Sequence, residues 1–254
     1  IANFLAQPDV RSILGSVVGG EASYIDGLLQ VTGSPADLYL INPAGILFGP
    51  NAQLDLAGSF AATTASGIQF DDATFNLLGR HDYGQFTGAP TGFVFTEGAG
   101  AVVNGADLTV IAGEAITLMG GQVINTGTLT APSGEITIAA IPDANLLRIS
   151  QADMALSLEF ATLPEAAAAA LPFTPLTLPE LLTGGGAALA TEVVVAPEGT
   201  ISLVNSALEI AALPGSAIAA GPLDTSGTAG GDITVVGDRV SLVQADIDAS
   251  GTLG

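Results

Sequence analysis

The chain contains no cysteine, no lysine and no tryptophan, and aromatic residues make up only 5% of its 254 residues. The absence of cysteine excludes disulfide bonds, thiolate metal sites and cysteine nucleophiles. The scarcity of aromatic side chains predicts a core of aliphatic residues with small, repeating volumes.

Positive charge is almost missing as well. Asp and Glu number 25 against 4 basic residues, which gives a formal net charge of −21. The basic residues are scattered along the chain at Arg11, Arg80, Arg148 and Arg239. Nucleic acids and anionic membranes are therefore disfavoured as partners. The simplest interpretation of the acidic charge is the solubility of a secreted protein.

Hydrophobic residues make up 48% of the chain, which is enough for a sizeable core in one large all-β domain or two smaller ones. The 33 glycines and 14 prolines have no collagen period and indicate many turns. Residues 1–15 do not resemble a signal peptide, so either the protein is not exported or the sequence is a processed or trimmed piece. The apolar tract 166–179 is too short and too rich in proline to span a bilayer.

Short strand patterns dominate, each bounded by Gly, Asn, Asp or Pro. The predicted strands lie at 36–41, 58–64, 92–96, 107–113, 115–121, 135–140, 200–204, 232–237 and 239–243.

Weak repeats connect these strands. GEAITL and GEITIA share an Ile-Thr step at Ile116 and Ile136, and LDTSGT and IDASGT begin at Leu223 and Ile247. INTGTL at Ile124 is interpreted as a third copy of the second pattern. A repeat of short strands and corners is typical of a β-solenoid, in which each coil stacks on the last as parallel strands.

One segment interrupts the repeats. Residues 159–192 are rich in Ala, Leu and Pro and are predicted to be an excursion between coils, with a short helix near 164–171; a domain linker is the alternative interpretation. The predicted organisation is a β-helix over 1–158, this excursion, and further coils over 193–254 that are cut off within a corner.

The segment Asn42-Pro43-Ala44-Gly45 fits a type I turn at each position. The Asn side chain accepts hydrogen bonds from turn amides, Pro presets φ, and Gly is favoured last. Ile46 then returns to a strand and is predicted to point inward. Further corners are predicted at Gly49-Pro50-Asn51 and at Gly58.

The stretch LYLINPAGILFGPNAQLDLAGSFAATTASGIQF resembles the signature region of two-partner secretion (haemagglutination-activity) domains of filamentous-haemagglutinin-like exoproteins. The family hallmark is Asn-Pro-Asn-Gly-Ile followed by Phe-Gly and a strand ending in Ala-Thr-Thr. Asn42, Pro43, Gly45 and Ile46 match it, and Ala44 replaces the usual Asn. The flanks from Val17 to Gln151 match too, so that the resemblance covers about 1–160. A second family motif, Asn-Pro-Asn-Leu, is absent, which indicates a different subgroup.

The resemblance implies a right-handed parallel β-helix with an N-terminal cap. Together with the excursion at 159–192, the predicted fold is all-β, a right-handed parallel β-helix (β-solenoid) with an extra-helical insertion. The family resemblance implies export through the periplasm and the outer membrane to the cell surface or medium. The implied partner is an outer-membrane β-barrel transporter whose POTRA domains recognise this domain, with Asn42, Pro43, Ala44, Gly45 and Ile46 as the candidate recognition motif. A signal peptide and part of an N-terminal cap are expected before Ile1. The resemblance also implies that C-terminal repeats, and not this domain, adhere to a host or cell-surface ligand. The domain itself is expected to be a monomer without a cofactor or bound nucleic acid.

The competing hypothesis is a carbohydrate-active β-helix enzyme, whose sites gather Asp residues as acids or calcium ligands. His81, the only histidine, lies beside Asp82, but a surface position is the more ordinary interpretation. Asp71-Asp72 are interpreted as turn residues, and GGD at 230–232 as a coil corner. The absence of lysine argues against cleavage of a polyanion. The sequence therefore predicts no catalytic residues and no metal site. The acidic residues considered for such a site in the last coils are Asp224, Asp232, Asp238, Asp246 and Asp248.

Overall fold

A computed structural model describes residues 1–70, 73–77, 90–142, 145–152, 155–162, 192–195, 200–204, 209–211, 214–243 and 245–252. Every regular element among these residues is a β-strand. Most strands lie in parallel sheets whose neighbours come from successive turns of the chain. This arrangement is a parallel β-helix with three faces, and it confirms the predicted fold class.

Face 1 is a sheet of six parallel strands, and each of its strands begins one coil, numbered 1 to 6 in chain order. Its strands are β2 (Ser12–Ser16), β5 (Asp37–Ile41), β8 (Phe60–Thr63), β14 (Ala115–Gly120), β17 (Glu135–Ala140) and β25 (Asp232–Val236).

Face 2 is likewise a sheet of six parallel strands, one from each coil. Its strands are β3 (Ser23–Ile25), β6 (Ile46–Phe48), β12 (Ala101–Asn104), β15 (Gln122–Asn125), β23 (Ser216–Ala219) and β26 (Arg239–Leu242).

Face 3 is divided into two parallel sheets, of three and of four strands. The first contains β1 (Ala2–Ala6), β4 (Leu28–Gly33) and β7 (Gln53–Asp55), and the second contains β13 (Leu108–Thr109), β16 (Leu129–Thr130), β24 (Leu223–Asp224) and β27 (Ile247–Asp248). Strands β7 and β13 lie side by side, so that the two sheets continue one another. We call the connection from face 1 to face 2 the first corner, from face 2 to face 3 the second corner, and from face 3 to the next face 1 the third corner.

The strand register aligns inward-facing side chains from coil to coil. Ile116 pairs with Phe60 on one side and with Ile136 on the other. Leu223 pairs with Ile247. Both predicted repeats are therefore confirmed as stacked positions. Ile116, Ile136 and Leu223 belong to an inner core of aliphatic residues, whereas Ile247 in the last coil is 44% exposed. Among the described residues, the buried aromatic side chains of this inner core are Phe48 and Phe60.

INTGTL is not a third copy of the LDTSGT corner. Ile124 pairs with Ile218 and Leu129 with Leu223, which places residues 124–129 at the second corner. LDTSGT follows face 3 and forms the third corner. The two segments look alike because both corners need the same turn residues.

The chain leaves the coils twice, each time at the first corner. The first excursion lies between β8 and β12 and contains β9 (Gly67–Gln69), β10 (Thr74–Asn76) and β11 (Gly92–Val94). The second lies between β17 and β23 and contains β18 (Asn145–Ala152), β19 (Ala155–Thr162), β20 (Glu192–Val195), β21 (Thr200–Val204) and β22 (Glu209–Ala211). Strands β9, β10, β11, β18 and β19 form one antiparallel sheet, and β20, β21 and β22 form another.

The second excursion extends beyond the predicted 159–192 segment on both sides. Predicted strands at 92–96 and 200–204 exist, but they lie in the antiparallel sheets and not in coils. The predicted helix near 164–171 lies outside the described residues. The division of the chain at 158 and 192 stays a prediction.

The five-stranded antiparallel sheet packs against the outer side of face 1 and creates a second core. This second core is richer in phenylalanine than the inner core. Its buried members are Ile41, Ala65, Ile68, Phe70, Phe75, Leu77, Phe93, Phe95, Met119, Ala139, Ile141 and Leu147.

Candidate functional site

The candidate motif forms the first corner of coil 2, between β5 and β6. The Gly45 amide donates to the Asn42 carbonyl at 3.1 Å and closes the turn. The Ala44 amide donates to Asn42 Oδ1 at 3.0 Å. Gly45 has a φ of 129°, a conformation that favours glycine. The predicted turn and the predicted bond to the Asn42 side chain are confirmed.

The amide of Asn42 also connects this corner with the coil before it. Its Nδ2 donates to the Glu21 carbonyl and to Ser23 Oγ, both at 2.9 Å. The backbone N–H of Asn42 donates to the Thr63 carbonyl of coil 3 at 3.0 Å. One asparagine therefore fastens three successive coils. Sequence analysis did not find these partners, because a local pattern does not show which coil stacks where.

Pro43 and Gly45 supply backbone oxygens to both neighbouring coils. The Pro43 carbonyl accepts from the Gly100 amide at 3.1 Å, and the Gly45 carbonyl accepts from the Ser23 amide at 3.0 Å. A Cβ at residue 100 would lie 2.7 Å from the Pro43 oxygen, so only glycine fits there. Gly100 is the point at which the first excursion returns to the coil. The backbone of the motif thus contacts the chain at the residue where that excursion ends.

The whole motif is buried in the folded domain. Asn42, Ala44 and Ile46 are each 0% exposed, and Pro43 and Gly45 are also buried. Ile46 belongs to the inner core, as predicted. The side chain of Ala44, which replaces the usual family Asn, has no solvent contact. The side chains of Asn42, Ala44 and Ile46 are therefore inaccessible to a partner that meets the folded domain.

An aromatic contact lies beside the motif. Tyr39, on the strand that leads into the corner, packs against Phe93 with ring centroids 6.3 Å apart. Burial, and to a smaller extent the charge of Asp37, raises the pKa of Tyr39 to about 12. Its hydroxyl is therefore protonated at physiological pH, and the corner is held by hydrogen bonds and packing.

The two further predicted corners are confirmed. At Gly49-Pro50-Asn51, the Ala52 amide donates to the Gly49 carbonyl at 3.0 Å. Asp26 accepts from the Asn51 side chain at 3.0 Å and from its backbone amide at 2.9 Å, which lowers the pKa of Asp26. Gly58 lies in the connection between β7 and β8, where a Cβ would be 2.7 Å from the Ala36 carbonyl.

Two further buried asparagines, hydrogen-bonded to each other, lie at the second corner, and they were not predicted from the sequence. Asn104 and Asn125 are register partners on β12 and β15, and both are 0% exposed. Asn104 Nδ2 donates to Asn125 Oδ1 at 2.7 Å and to the Ala106 carbonyl at 2.9 Å, and the Ala106 amide donates to Asn104 Oδ1 at 3.1 Å. The signal was an Asn that recurs one coil later with a small residue two positions on, Ala106 in one coil and Gly127 in the next.

The residues considered for an enzymatic site do not converge where the structure describes them. Asp224 and Asp248 occupy equivalent positions on successive coils, and each accepts from the amide two residues on. These bonds are those of ordinary turns. Within the described ranges, no group of three His, Asp or Glu side chains is placed to hold a metal ion. His81, Asp71 and Asp72 lie outside those ranges.

The fold and the corner together define a class: a parallel β-helix whose second coil is closed by a buried Asn-Pro-x-Gly turn. The model of the TPS secretion domain family matches residues 1–172. The chain belongs to this family, and residues 1–172 are the N-terminal secretion domain of a two-partner-secreted exoprotein. Membership implies export through the outer membrane with the help of a dedicated transporter of the TpsB type, and the family is defined by secretion and not by catalysis.

No curated protein matches the chain. Among the described residues there is no helix with the length and hydrophobicity needed to cross a membrane.

Proposed function

We propose that the POTRA domains of the partner transporter recognise the segment Asn42–Ile46 before the chain folds, and that folding then buries this segment. The observation that carries the proposal is the complete burial of the motif, together with the hydrogen bonds that hold Asn42 within the coils. A motif that is hidden in the folded domain is available to a partner only in an extended or partly folded chain.

The absence of covalent cross-links fits this order of events. The chain has no cysteine, so no disulfide holds distant residues together before passage through a barrel. Each strand of a coil pairs with strands of the coils before and after it, as β14 does with β8 and β17. Coils can therefore add one after another, and each buries apolar surface worth about 25 cal/mol per Å². Folding on the outer side then favours outward movement.

Adhesion belongs, in this proposal, to the exported protein as a whole. The resemblance to haemagglutinin-like exoproteins supports an adhesive role, exercised through regions other than this secretion domain. The secretion domain is the part of the exported protein that the transporter recognises.

A single introduced cysteine tests recognition of the unfolded chain, because no native thiol competes with it. We expect the thiol of Ala44→Cys to react slowly with a maleimide in the folded domain, since residue 44 is fully buried. In denatured chains diluted into the isolated POTRA domains, we expect that thiol to be protected from the reagent.

The matched control is Ala219→Cys, which is equally buried but lies in a later coil. Its thiol is expected to react at the same rate with and without the POTRA domains while the chain is unfolded. Equal reaction of the two thiols in the presence of the POTRA domains would refute recognition at the motif.

A further inference from the structure

The antiparallel sheet outside the coils is assembled from two excursions that are far apart in the sequence. Strands β9, β10 and β11 come from the excursion of coil 3, and β18 and β19 come from that of coil 5. The two parts meet where β11 pairs with β18, with Phe93 opposite Leu147. This junction connects coils 3 and 5 without involving coil 4.

The second core under this sheet draws on coils in the same discontinuous way. Ile41 comes from coil 2, Met119 from coil 4 and Ala139 from coil 5, whereas Phe93 and Phe95 come from the first excursion and Leu147 from the second. All six side chains are buried; Phe93 is 1% exposed and Leu147 is 0% exposed. The residues that cover Phe93 and Phe95 therefore follow them in the chain by up to about fifty positions.

The inner core has a different dependence on chain order. An added coil needs only the coil before it, because its strands pair with that coil in parallel register. The second core needs β18, which becomes available only after coil 4 and the face 1 strand of coil 5. Loop length does not set this order, because the pairing of Phe93 with Leu147 spans about as many residues as the pairing of Phe60 with Ile116 between coils 3 and 4. The order follows from the base of the second core: the antiparallel sheet packs on Ile41, Met119 and Ala139, so the face 1 strands of coils 2, 4 and 5 must be paired beneath it.

We propose that the second core is a latch that closes only when β18 pairs with β11, after the coils beneath it have formed. Before closure, coils 1 to 4 are stacked and the edge of β11 that β18 later covers is open. After closure, coils 3, 4 and 5 are held together on their outer side. The latch makes the first part of the domain resistant to local opening only once residue 147 is in place.

Refolding of the full chain, followed by pulsed hydrogen exchange, tests the order of events. We expect the amides of β5, β8 and β14 to become protected before those of β9 and β11. Protection of β9 and β11 at the same time as the coil strands, or earlier, would overturn the proposal.

Native-state hydrogen exchange of two variants provides the second test. Leu147→Ala is expected to speed exchange in β9 and β11 by about 30-fold, with β5 and β8 unchanged, because it removes a fully buried latch contact. The control, Leu118→Ala, removes an equally buried side chain of the inner core and is expected to speed exchange in the coil strands and the latch alike. A uniform effect of Leu147→Ala on all strands, or no effect on β9 and β11, would contradict a separate latch.

Discussion

Two corners of the β-helix use a fully buried asparagine in the same way, but the hydrogen-bond partners of the two asparagines differ in their exposure to solvent. Asn42 at the first corner and Asn104 at the second both accept a hydrogen bond from the amide two residues on. The outer partners of Asn42 are the Glu21 carbonyl and Ser23, in a stretch that is partly exposed to solvent. The partners of Asn104 are Ala106 and Asn125, which are 1% and 0% exposed. The same bond from an amide to an asparagine side chain therefore closes both corners, whereas the family signature Asn-Pro-x-Gly lies at only one of them.

The largest expected loss of stability follows the substitution Asn104→Ala. It leaves the Ala106 amide, the Ala106 carbonyl and Asn125 Oδ1 without their partner in a dry core. Since each orphaned buried group costs about 1–3 kcal/mol, we expect a fall of about 3 kcal/mol in the free energy of unfolding. Urea denaturation followed by circular dichroism measures it. A loss below about 1 kcal/mol would show that water replaces the amide, and the difference in solvent exposure between the partners of the two asparagines would then not matter.

Asn42→Ala is expected to cost less, about 1–2 kcal/mol, because only the Ala44 amide is left unpaired in a buried position. The Glu21 carbonyl and Ser23 can be solvated in its absence. The same denaturation experiment decides the order of the two variants. A larger loss for Asn42→Ala than for Asn104→Ala would reverse the comparison.

The smallest expected change in stability concerns the third corner, which contains the carboxylates of Asp37 and Glu114 and neither of the two asparagines. Asp37 accepts from the Ser59 amide at 2.9 Å, and Ser59 Oγ donates to Glu114 at 2.7 Å. Partial burial, and to a lesser degree Glu114, raises the pKa of Asp37 above its ordinary value of 3.8. The folded state therefore favours the protonated acid, and its stabilising contribution is present below pH 3.8 and is lost as the pH rises through the raised pKa.

We thus expect Asp37→Asn to stabilise the domain slightly at pH 7, since the amide keeps the acceptor for Ser59, and to have no such advantage below pH 3.8. Urea denaturation of the parent chain and of Asp37→Asn, at pH 7 and below pH 3.8, measures the difference in their free energies of unfolding. A variant that is less stable at pH 7 would show that the charge of Asp37 is favourable in the fold. This pH-dependent change also serves as a control, because it alters stability without touching either asparagine.

Much of the fold was accessible from the sequence because the corners are local. The turn at Asn42–Gly45 follows from the conformational preferences of its own four residues, and the repeats at Ile116–Ile136 and Leu223–Ile247 are spaced by the length of one coil. Local physics decides such features, so the turn and these two repeats are confirmed, whereas the prediction for INTGTL was wrong.

The antiparallel sheets were not accessible in the same way. The strand that begins at Gly92 alternates like a coil strand, and nothing in its own residues shows that its partners are β9 and β18. The burial of the whole motif was also not predicted, apart from the inward position of Ile46. The first excursion contributes to this burial, since it returns at Gly100 directly against the backbone of Pro43. Long-range pairing determined both features.

The most direct test of recognition before folding is the export of Asn42→Ala and Asn104→Ala by cells that carry the cognate transporter. Secreted and retained protein are quantified for each variant and for the parent chain. We expect Asn42→Ala to be exported less well than Asn104→Ala although it is the more stable of the two. Export that falls in proportion to the loss of stability, or that is undiminished for Asn42→Ala, would contradict recognition before folding.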